Sequence, residues 1–158
     1  MAATKALVID DEAPIRLLCR VNLEAEGMDV VEAGDGEAGL ELARSEGPDV
    51  ILLDVMMPVL DGWQVAERLL EDERTQNIPI IFLTARAELR DRERGLEAGG
   101  IAYVTKPFNP LELAVLVEDL VGRVARGEAY AVRQEKIAAL RALIEGRRPE
   151  SDLERRTG

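Results

Sequence analysis

Short apolar runs alternate along the chain with longer segments in which apolar residues recur every three or four positions. Runs such as Val50–Leu53 contain no polar residue, which is typical of strands covered on both faces. The longer segments have the period of amphipathic helices. Strands joined by helical crossovers form a parallel, doubly wound α/β sheet. The predicted strands are Ala6–Ile9, Asp29–Ala33, Val50–Leu53, Ile80–Leu83 and Ala102–Thr105, and the predicted helices are Pro14–Glu26, Glu37–Glu46, Trp63–Glu73, Leu89–Ala98 and Pro110–Arg126.

One more helix is predicted beyond this repeating order, over Glu128–Glu145. We expect Gly146–Gly158 to be disordered, because this stretch is charged and contains Pro149. The chain therefore divides into a domain over 4–126 and a C-terminal extension over 127–158. The apolar residues expected on one side of the extra helix are Tyr130, Ile137, Leu140, Leu143 and Ile144.

The composition limits the class of protein. The chain has 158 residues, of which 47% are hydrophobic and 32% charged, as in a soluble domain with one core. No apolar run approaches the roughly 20 residues of a membrane span, and the N-terminus has no signal-peptide pattern. The single cysteine, Cys19, cannot form an internal disulfide, which favours the reducing cytoplasm. The absence of histidine excludes histidine metal sites and triads.

The net charge of -11 also restricts the partners. The acidic excess lies before residue 127, and an acidic surface repels nucleic acid, whose binding depends on neutralising phosphates. We therefore expect neither nucleic acid nor a membrane as a partner.

Polar side chains follow the predicted strands at the point where each strand ends. Asp10 and Asp11 follow the first strand, Asp54 the third, Thr84 the fourth and Lys106 the fifth. Ligands of open α/β sheets bind at this edge. Carboxylates brought together form an oxygen-rich site suited to Mg²⁺, and lysine suits a phosphoryl group. An aspartate can itself form an aspartyl-phosphate.

The motifs at these strand ends resemble those of the receiver domains of bacterial two-component response regulators. The resemblance covers about Thr4 to Arg126. Each motif is common by itself, but their joint order is specific. They are Asp10-Asp11-Glu12, Leu53-Asp54 followed by Met57-Pro58 and Asp61-Gly62, Phe82-Leu83-Thr84-Ala85, and Tyr103-Val104-Thr105-Lys106-Pro107-Phe108.

The resemblance implies a flavodoxin-like, CheY-like (βα)5 fold with strand order 2-1-3-4-5, here with a helical extension. It implies a phosphorylation-activated switch that uses Mg²⁺ and takes its phosphoryl group from a histidine kinase or phosphotransfer protein. The implied phosphoacceptor is Asp54, the phosphoryl-binding residues are Lys106 and Thr84, the metal ligands are Asp10, Asp11, Asp54 and the backbone carbonyl of Met56, and the switch residues are Thr84 and Tyr103.

Each of these residues also suits a simpler structural role. The acids of the first motif could cap the first helix, and Asp54 could be a turn residue. Lys106 could be a solvent-exposed lysine, and Thr84 and Tyr103 could be ordinary strand residues. An FMN site would require Ser, Thr and Gly after the first strand, and an aspartate phosphatase would require an acid at position 56. The remaining alternative is a pseudo-receiver, which has the same fold but binds proteins without phosphorylation.

The signalling output is expected to be contact with an unknown downstream protein. The 32 residues after the domain are too few for a DNA-binding core, which predicts a stand-alone receiver, monomeric or weakly dimeric. Ile101, Ala102 and Leu111 stand where similar transcription-factor receivers carry charges, and Val115 adds to them. These residues predict an apolar output surface, unless the extra helix folds back and covers it.

A long-lived phosphoryl group is also predicted. In the family that the chain resembles, the residues two beyond the phosphoacceptor and two beyond the switch threonine flank the approach of the hydrolytic water. Here they are Met56 and Arg86. A methionine side chain cannot orient water by hydrogen bonding.

Overall fold

The computed structural model describes residues 3–85, 93–94 and 100–145. Strands and helices alternate as predicted, and of the predicted helix Leu89–Ala98 only Glu93 and Arg94 belong to the described residues. The elements are β1 (Lys5–Ile9), α1 (Ala13–Ala25), β2 (Asp29–Ala33), α2 (Gly36–Glu46), β3 (Val50–Asp54), α3 (Gly62–Glu71), β4 (Ile80–Thr84), β5 (Gly100–Thr105), α4 (Pro110–Ala125) and α5 (Ala129–Glu145).

The five strands form one parallel sheet in the order β2-β1-β3-β4-β5. In the register of the sheet, Ile9 of β1 pairs with Leu53 of β3, and Thr84 of β4 pairs with Thr105 of β5. The register therefore brings the carboxyl ends of the strands to one edge of the sheet. The predicted fold class and strand order are confirmed.

Alternate residues of β1, β3 and β4 enter two buried apolar clusters, one on each face of the sheet. Ala6 and Val8 lie in the first cluster with residues of α1 and α4, whereas Leu7 and Ile9 lie in the second with residues of α2 and α3. Cys19 of α1 is fully buried in the first cluster, and burial raises the pKa of its thiol to about 12. The apolar strands are therefore covered on both faces.

The helices begin at residues that the sequence marks. The Asn109 side chain accepts hydrogen bonds from the backbone N–H groups of Leu111 and Glu112 and so caps α4. Asp61 and Gln64 form a reciprocal capping box at the start of α3. This second cap fixes the helix that follows the loop after Asp54.

The loop between β3 and α3 contains one strained residue. Val59 has a φ of 69°, in the left-handed region where a β-branched side chain is disfavoured, and its side chain is 97% exposed. Val59→Gly removes this strain and loses no packing, so it should stabilise the fold by about 1 kcal/mol. Urea unfolding followed by circular dichroism measures the change.

The matched control for that experiment is Val21→Gly, an exposed valine within α1. Glycine disfavours helix, so this variant should be destabilised by a few tenths of a kcal/mol. A Val59→Gly protein no more stable than the wild type would show that the loop carries no strain at this residue.

The extra helix α5 follows a turn at Gly127, whose φ of 81° favours glycine. It packs on β5, the edge strand of the sheet. Val132 is completely buried and Ile137 is 8% exposed, whereas Tyr130 is 73% exposed. Tyr130, predicted on one side of the helix with Ile137, is thus exposed, and the buried Val132 was not among the predicted residues. The side chains of Leu140, Leu143 and Ile144, and the whole of 146–158, lie outside the described residues.

The predicted apolar output surface is only partly exposed. Ile101 and Ala102 are buried, at 0% and 3% exposure, so their placement on an open surface was wrong. They belong to the same apolar cluster as Val132 of α5. Leu111 and Val115 are 66% and 61% exposed, as predicted. The alternative, that the extra helix covers part of this face, describes the structure better.

Candidate functional site

Three aspartates meet at the carboxyl edge of the sheet. Asp10 directly follows β1, Asp54 is the last residue of β3, and Asp11 lies beside them. Each offers a carboxylate oxygen, and these oxygens all lie within 4.8 Å of one another. Asp10 and Asp54 are buried, whereas Asp11 is exposed to solvent. The cluster is thus open on the side of Asp11.

Lys106 brings one positive charge to this cluster. Its Nζ lies 2.7 Å from Asp10 Oδ2, 3.5 Å from Asp54 Oδ1 and 3.5 Å from Glu12 Oε2. Burial by itself lowers the pKa of Lys106, but the hydrogen bond and charge of Asp10, with the charges of Asp54 and Glu12, raise it overall. Lys106 is therefore positively charged. Its backbone is held in place by its N–H, which donates to the carbonyl of Thr84 at 2.6 Å.

The two buried carboxylates are only partly neutralised. Burial, and then the charge of Asp10, raise the pKa of Asp54 to about 7, against the opposing effects of Lys106 and of the Met56 N–H. One ammonium among three aspartates leaves uncompensated negative charge. A hard divalent cation with oxygen ligands would relieve this repulsion, so the residues fit the Mg²⁺ site predicted from the sequence.

The backbone around Asp10 is fixed by hydrogen bonds that the sequence did not reveal. Arg16 of α1 donates from Nη1 to the carbonyl of Asp10 at 2.6 Å, and its Nε lies 3.4 Å from Glu32 Oε1. The N–H of Asp10 donates to the carbonyl of Ala33 at 3.1 Å, and its Oδ1 accepts from the N–H of Glu12 at 2.9 Å. Asp10 is thus held through both its backbone and its side chain.

The loop after β3 is packed tightly against Asp54. A Cβ on Gly62 would lie 2.5 Å from the backbone oxygen of Asp54, so only glycine fits where α3 begins. The N–H of Met56 donates to Asp54 Oδ1 at 3.2 Å. The Met56 side chain is 55% exposed, beside the acidic cluster. Arg86, predicted to flank the same approach, lies outside the described residues.

The two predicted switch residues lie on neighbouring strands. Thr84 ends β4 and is fully buried. Tyr103 lies in β5, with its ring centroid 6.4 Å from that of Phe82. Phe82 in turn lies 5.0 Å from the ring of Trp63 in α3. A row of aromatic rings therefore connects β5 with the helix that follows the loop of Asp54.

The site predicted from the strand ends thus comes together in space. Asp10, Asp11, Asp54 and Lys106 form one contiguous cluster. Thr84 is at the adjacent strand end, hydrogen-bonded through its carbonyl to Lys106. Nothing in the sequence marked Arg16, whose part depends on how α1 lies on the sheet.

Comparisons with known proteins agree on one family. A family model, the response regulator receiver domain, matches residues 6–118. The DNA-binding dual master transcriptional regulator RpaA of Synechocystis sp. is 43% identical over 122 residues, which are 77% of this chain and 51% of the relative. The alkaline phosphatase synthesis transcriptional regulatory protein PhoP of Bacillus subtilis is 45% identical over 119 residues, 75% of this chain and 49% of the relative.

The solved receiver domain of the Francisella response regulator 1452 is similar in three dimensions. It has a TM-score of 0.72 at 36% identity, and the match covers 77% of this chain and 98% of that domain. The chain spans about half the length of the curated relatives it matches. Within the described residues, no helix is both long and apolar enough to cross a bilayer.

Proposed function

The chain belongs to the response regulator receiver domain family, and we propose that it is a phosphorylation-activated signalling switch whose phosphoacceptor is Asp54. The observation that carries the proposal is the cluster of Asp10, Asp11 and Asp54 with Lys106 at hydrogen-bonding distance from Asp10. The donor is a phosphohistidine of a histidine kinase or phosphotransfer protein. We assign the receiver to 4–126 and an extension to 127–158.

Asp54 acts as the nucleophile. One of its carboxylate oxygens forms a bond to phosphorus while the bond from phosphorus to the donor's imidazole nitrogen breaks, and that nitrogen keeps the electron pair. The carboxylate must be ionised to attack. Burial, and then the charge of Asp10, raise its pKa to about 7, so added positive charge would favour the ionised form. Asp10, Asp11, Asp54 and the carbonyl of Met56 would hold Mg²⁺, which would supply that charge and stabilise the negative charge of the phosphoryl group.

The other side chains bind the transferred group. The Lys106 ammonium, already 3.5 Å from Asp54 Oδ1, pairs with a phosphoryl oxygen. The hydroxyl of Thr84 moves toward the same group, and Tyr103 changes position in response. Because Tyr103 lies in the edge strand β5, the change reaches the outer surface of the protein, where a downstream protein binds. We propose a cytoplasmic protein, with no contact to nucleic acid.

Incubation with Mg²⁺ and acetyl phosphate tests the function. We expect one added phosphoryl group, located on Asp54 by mass spectrometry and absent when EDTA replaces Mg²⁺. A folded protein that takes up no phosphoryl group would instead favour the pseudo-receiver.

We predict that Met56→Asn shortens the lifetime of the phosphoryl group. The exposed Met56 side chain lies beside the acceptor and offers no hydrogen bond to a water, whereas an asparagine amide can orient one for attack. We expect the decay to become a few-fold faster, measured as loss of labelled protein after removal of the donor.

A suitable control is Val59→Asn, which introduces the same amide at a side chain that is 97% exposed. Asparagine tolerates the left-handed φ of this residue, so decay should stay at the wild-type rate. Unchanged or slower decay in Met56→Asn would show that this side chain does not limit hydrolysis.

A further inference from the structure

Met56 places a thioether on the surface of the protein beside the acidic cluster. Its backbone N–H donates to Asp54 Oδ1 at 3.2 Å, which fixes the residue next to the proposed phosphoacceptor. Its side chain is 55% exposed and lines an open groove of about 400 Å³ together with Pro58 and Trp63. A small molecule from the solvent therefore reaches this side chain without any movement of the fold.

The other sulfur atoms of the described residues are protected from the solvent. Met28 and Met57 are 6% and 7% exposed, and they lie in the two apolar clusters that cover the faces of the sheet. Cys19 is fully buried, and burial raises the pKa of its thiol to about 12, so little reactive thiolate forms. Met1 lies outside the described residues. Exposure therefore favours Met56 as the site of reaction with an oxidant.

We infer that Met56 is a modification site, at which a peroxide converts the thioether to a sulfoxide and thereby shortens the lifetime of the phosphoryl group. A lone pair of the sulfur attacks one oxygen of hydrogen peroxide, and the O–O bond breaks. The transferred oxygen gives its proton to the departing hydroxide, which leaves as water. The sulfur is oxidised and the peroxide is reduced. Hydrogen peroxide carries no charge, so the acidic cluster does not repel it.

The sulfoxide changes how this side chain interacts with water. A thioether is a weak hydrogen-bond acceptor, whereas the sulfoxide is polar and its oxygen accepts a hydrogen bond from water. A water held in this way can turn a lone pair toward the phosphorus. Its oxygen forms a bond to phosphorus while the bond from phosphorus to the Asp54 oxygen breaks. The electron pair of that bond stays on the carboxylate, and both protons of the water leave with inorganic phosphate. This effect on lifetime rests on the proposed function.

Limited treatment of the full chain with hydrogen peroxide, followed by digestion and mass spectrometry, tests the site. The gain of one oxygen should be roughly tenfold faster at Met56 than at Met28 or Met57, because only Met56 is open to solvent. Equal rates at these three methionines would overturn the inference. The measurement needs no phosphoryl group, so its result is independent of the proposed function.

The lifetime is measured on protein that is labelled with acetyl phosphate after the peroxide has been removed. Decay should be a few-fold faster in the oxidised protein than in the untreated protein. Methionine sulfoxide reductases of both stereospecificities should restore the slower decay. Identical decay of the oxidised and untreated proteins would overturn the effect on lifetime.

Two leucine variants identify the sulfur that is responsible. Met56→Leu nearly keeps the volume of the side chain but has no sulfur, so treatment with peroxide should not change its decay rate. Met57→Leu is the matched control at the buried neighbour and should respond to peroxide as the wild type does. A Met56→Leu protein that still responds would overturn the inference. If the untreated protein takes up no phosphoryl group, the proposed function fails and the effect on lifetime with it, while the oxidation rates still decide the modification site.

Discussion

Asp54→Asn should take up no phosphoryl group from acetyl phosphate in the presence of Mg²⁺. An amide oxygen is not a nucleophile comparable with a carboxylate, and the variant also removes one of the three carboxylates within 4.8 Å of one another. The fold should be retained, because asparagine has nearly the same shape and removes the buried charge and its repulsion by Asp10, the two main causes of the raised pKa of Asp54. Intact-protein mass after incubation with the donor gives the answer.

The control for this result is Asp61→Asn, the same chemical change in the loop that follows Asp54. The Asp61 side chain caps α3 by accepting from the N–H of Gln64, and asparagine caps almost as well. This variant should be labelled like the wild type. Full labelling of Asp54→Asn would place the phosphoryl group on another residue and refute the assignment of Asp54.

Asp11→Ala should weaken Mg²⁺ binding by at least about tenfold, since even outer partners of metal ligands contribute that much. Asp11 is the exposed member of the cluster, so its loss leaves the buried pair of Asp10 and Lys106 intact and should hardly change stability. Labelling at millimolar Mg²⁺ should fall with the affinity. Calorimetric titration with Mg²⁺ measures binding directly, and urea unfolding measures stability.

The neighbouring residue supplies the control. Glu12→Ala removes another exposed carboxylate, which lies 3.5 Å from Lys106 Nζ but outside the group of close oxygens. Its Mg²⁺ affinity should stay near that of the wild type. If the two variants lose affinity equally, the general negative charge of this edge, and not Asp11 itself, binds the metal.

The sequence predicts most of the fold because the strands are so uniformly apolar. The errors lie at the ends of helices and strands, because local contacts determine at which residue each element begins or ends. The third helix was predicted to end at Glu73 but ends at Glu71, because the backbone turns at Asp72, whose carbonyl accepts from the N–H groups of Thr75 and Gln76. The strand β5 begins at Gly100, two residues before its predicted start at Ala102. The prediction began too late because glycine is not typical of strands.

The candidate site was predictable for a different reason. Parallel strands end at one edge, so Asp10, Asp54, Thr84 and Lys106 had to lie near one another once the strands were identified. Arg16 reaches the site from a helix. Whether a helical residue does so depends on how the helix is rotated on the sheet, and the spacing of residues in the sequence does not predict that rotation. The same limit applies to α5, where the buried Val132 was not among the residues predicted for its apolar side.

Covering β5 has a further consequence for self-association. An open edge strand offers unpaired N–H and carbonyl groups to another chain and can start intermolecular β-sheet. The opposite edge, β2, carries the exposed Asp29 and also Glu32, whose carboxylate is paired with Arg16 and Arg20, and such charges discourage strand pairing. The apolar β5 has no comparable charge in its sequence Gly-Ile-Ala-Tyr-Val-Thr. There the helix α5, which packs against β5, takes the place of such charges in discouraging strand pairing.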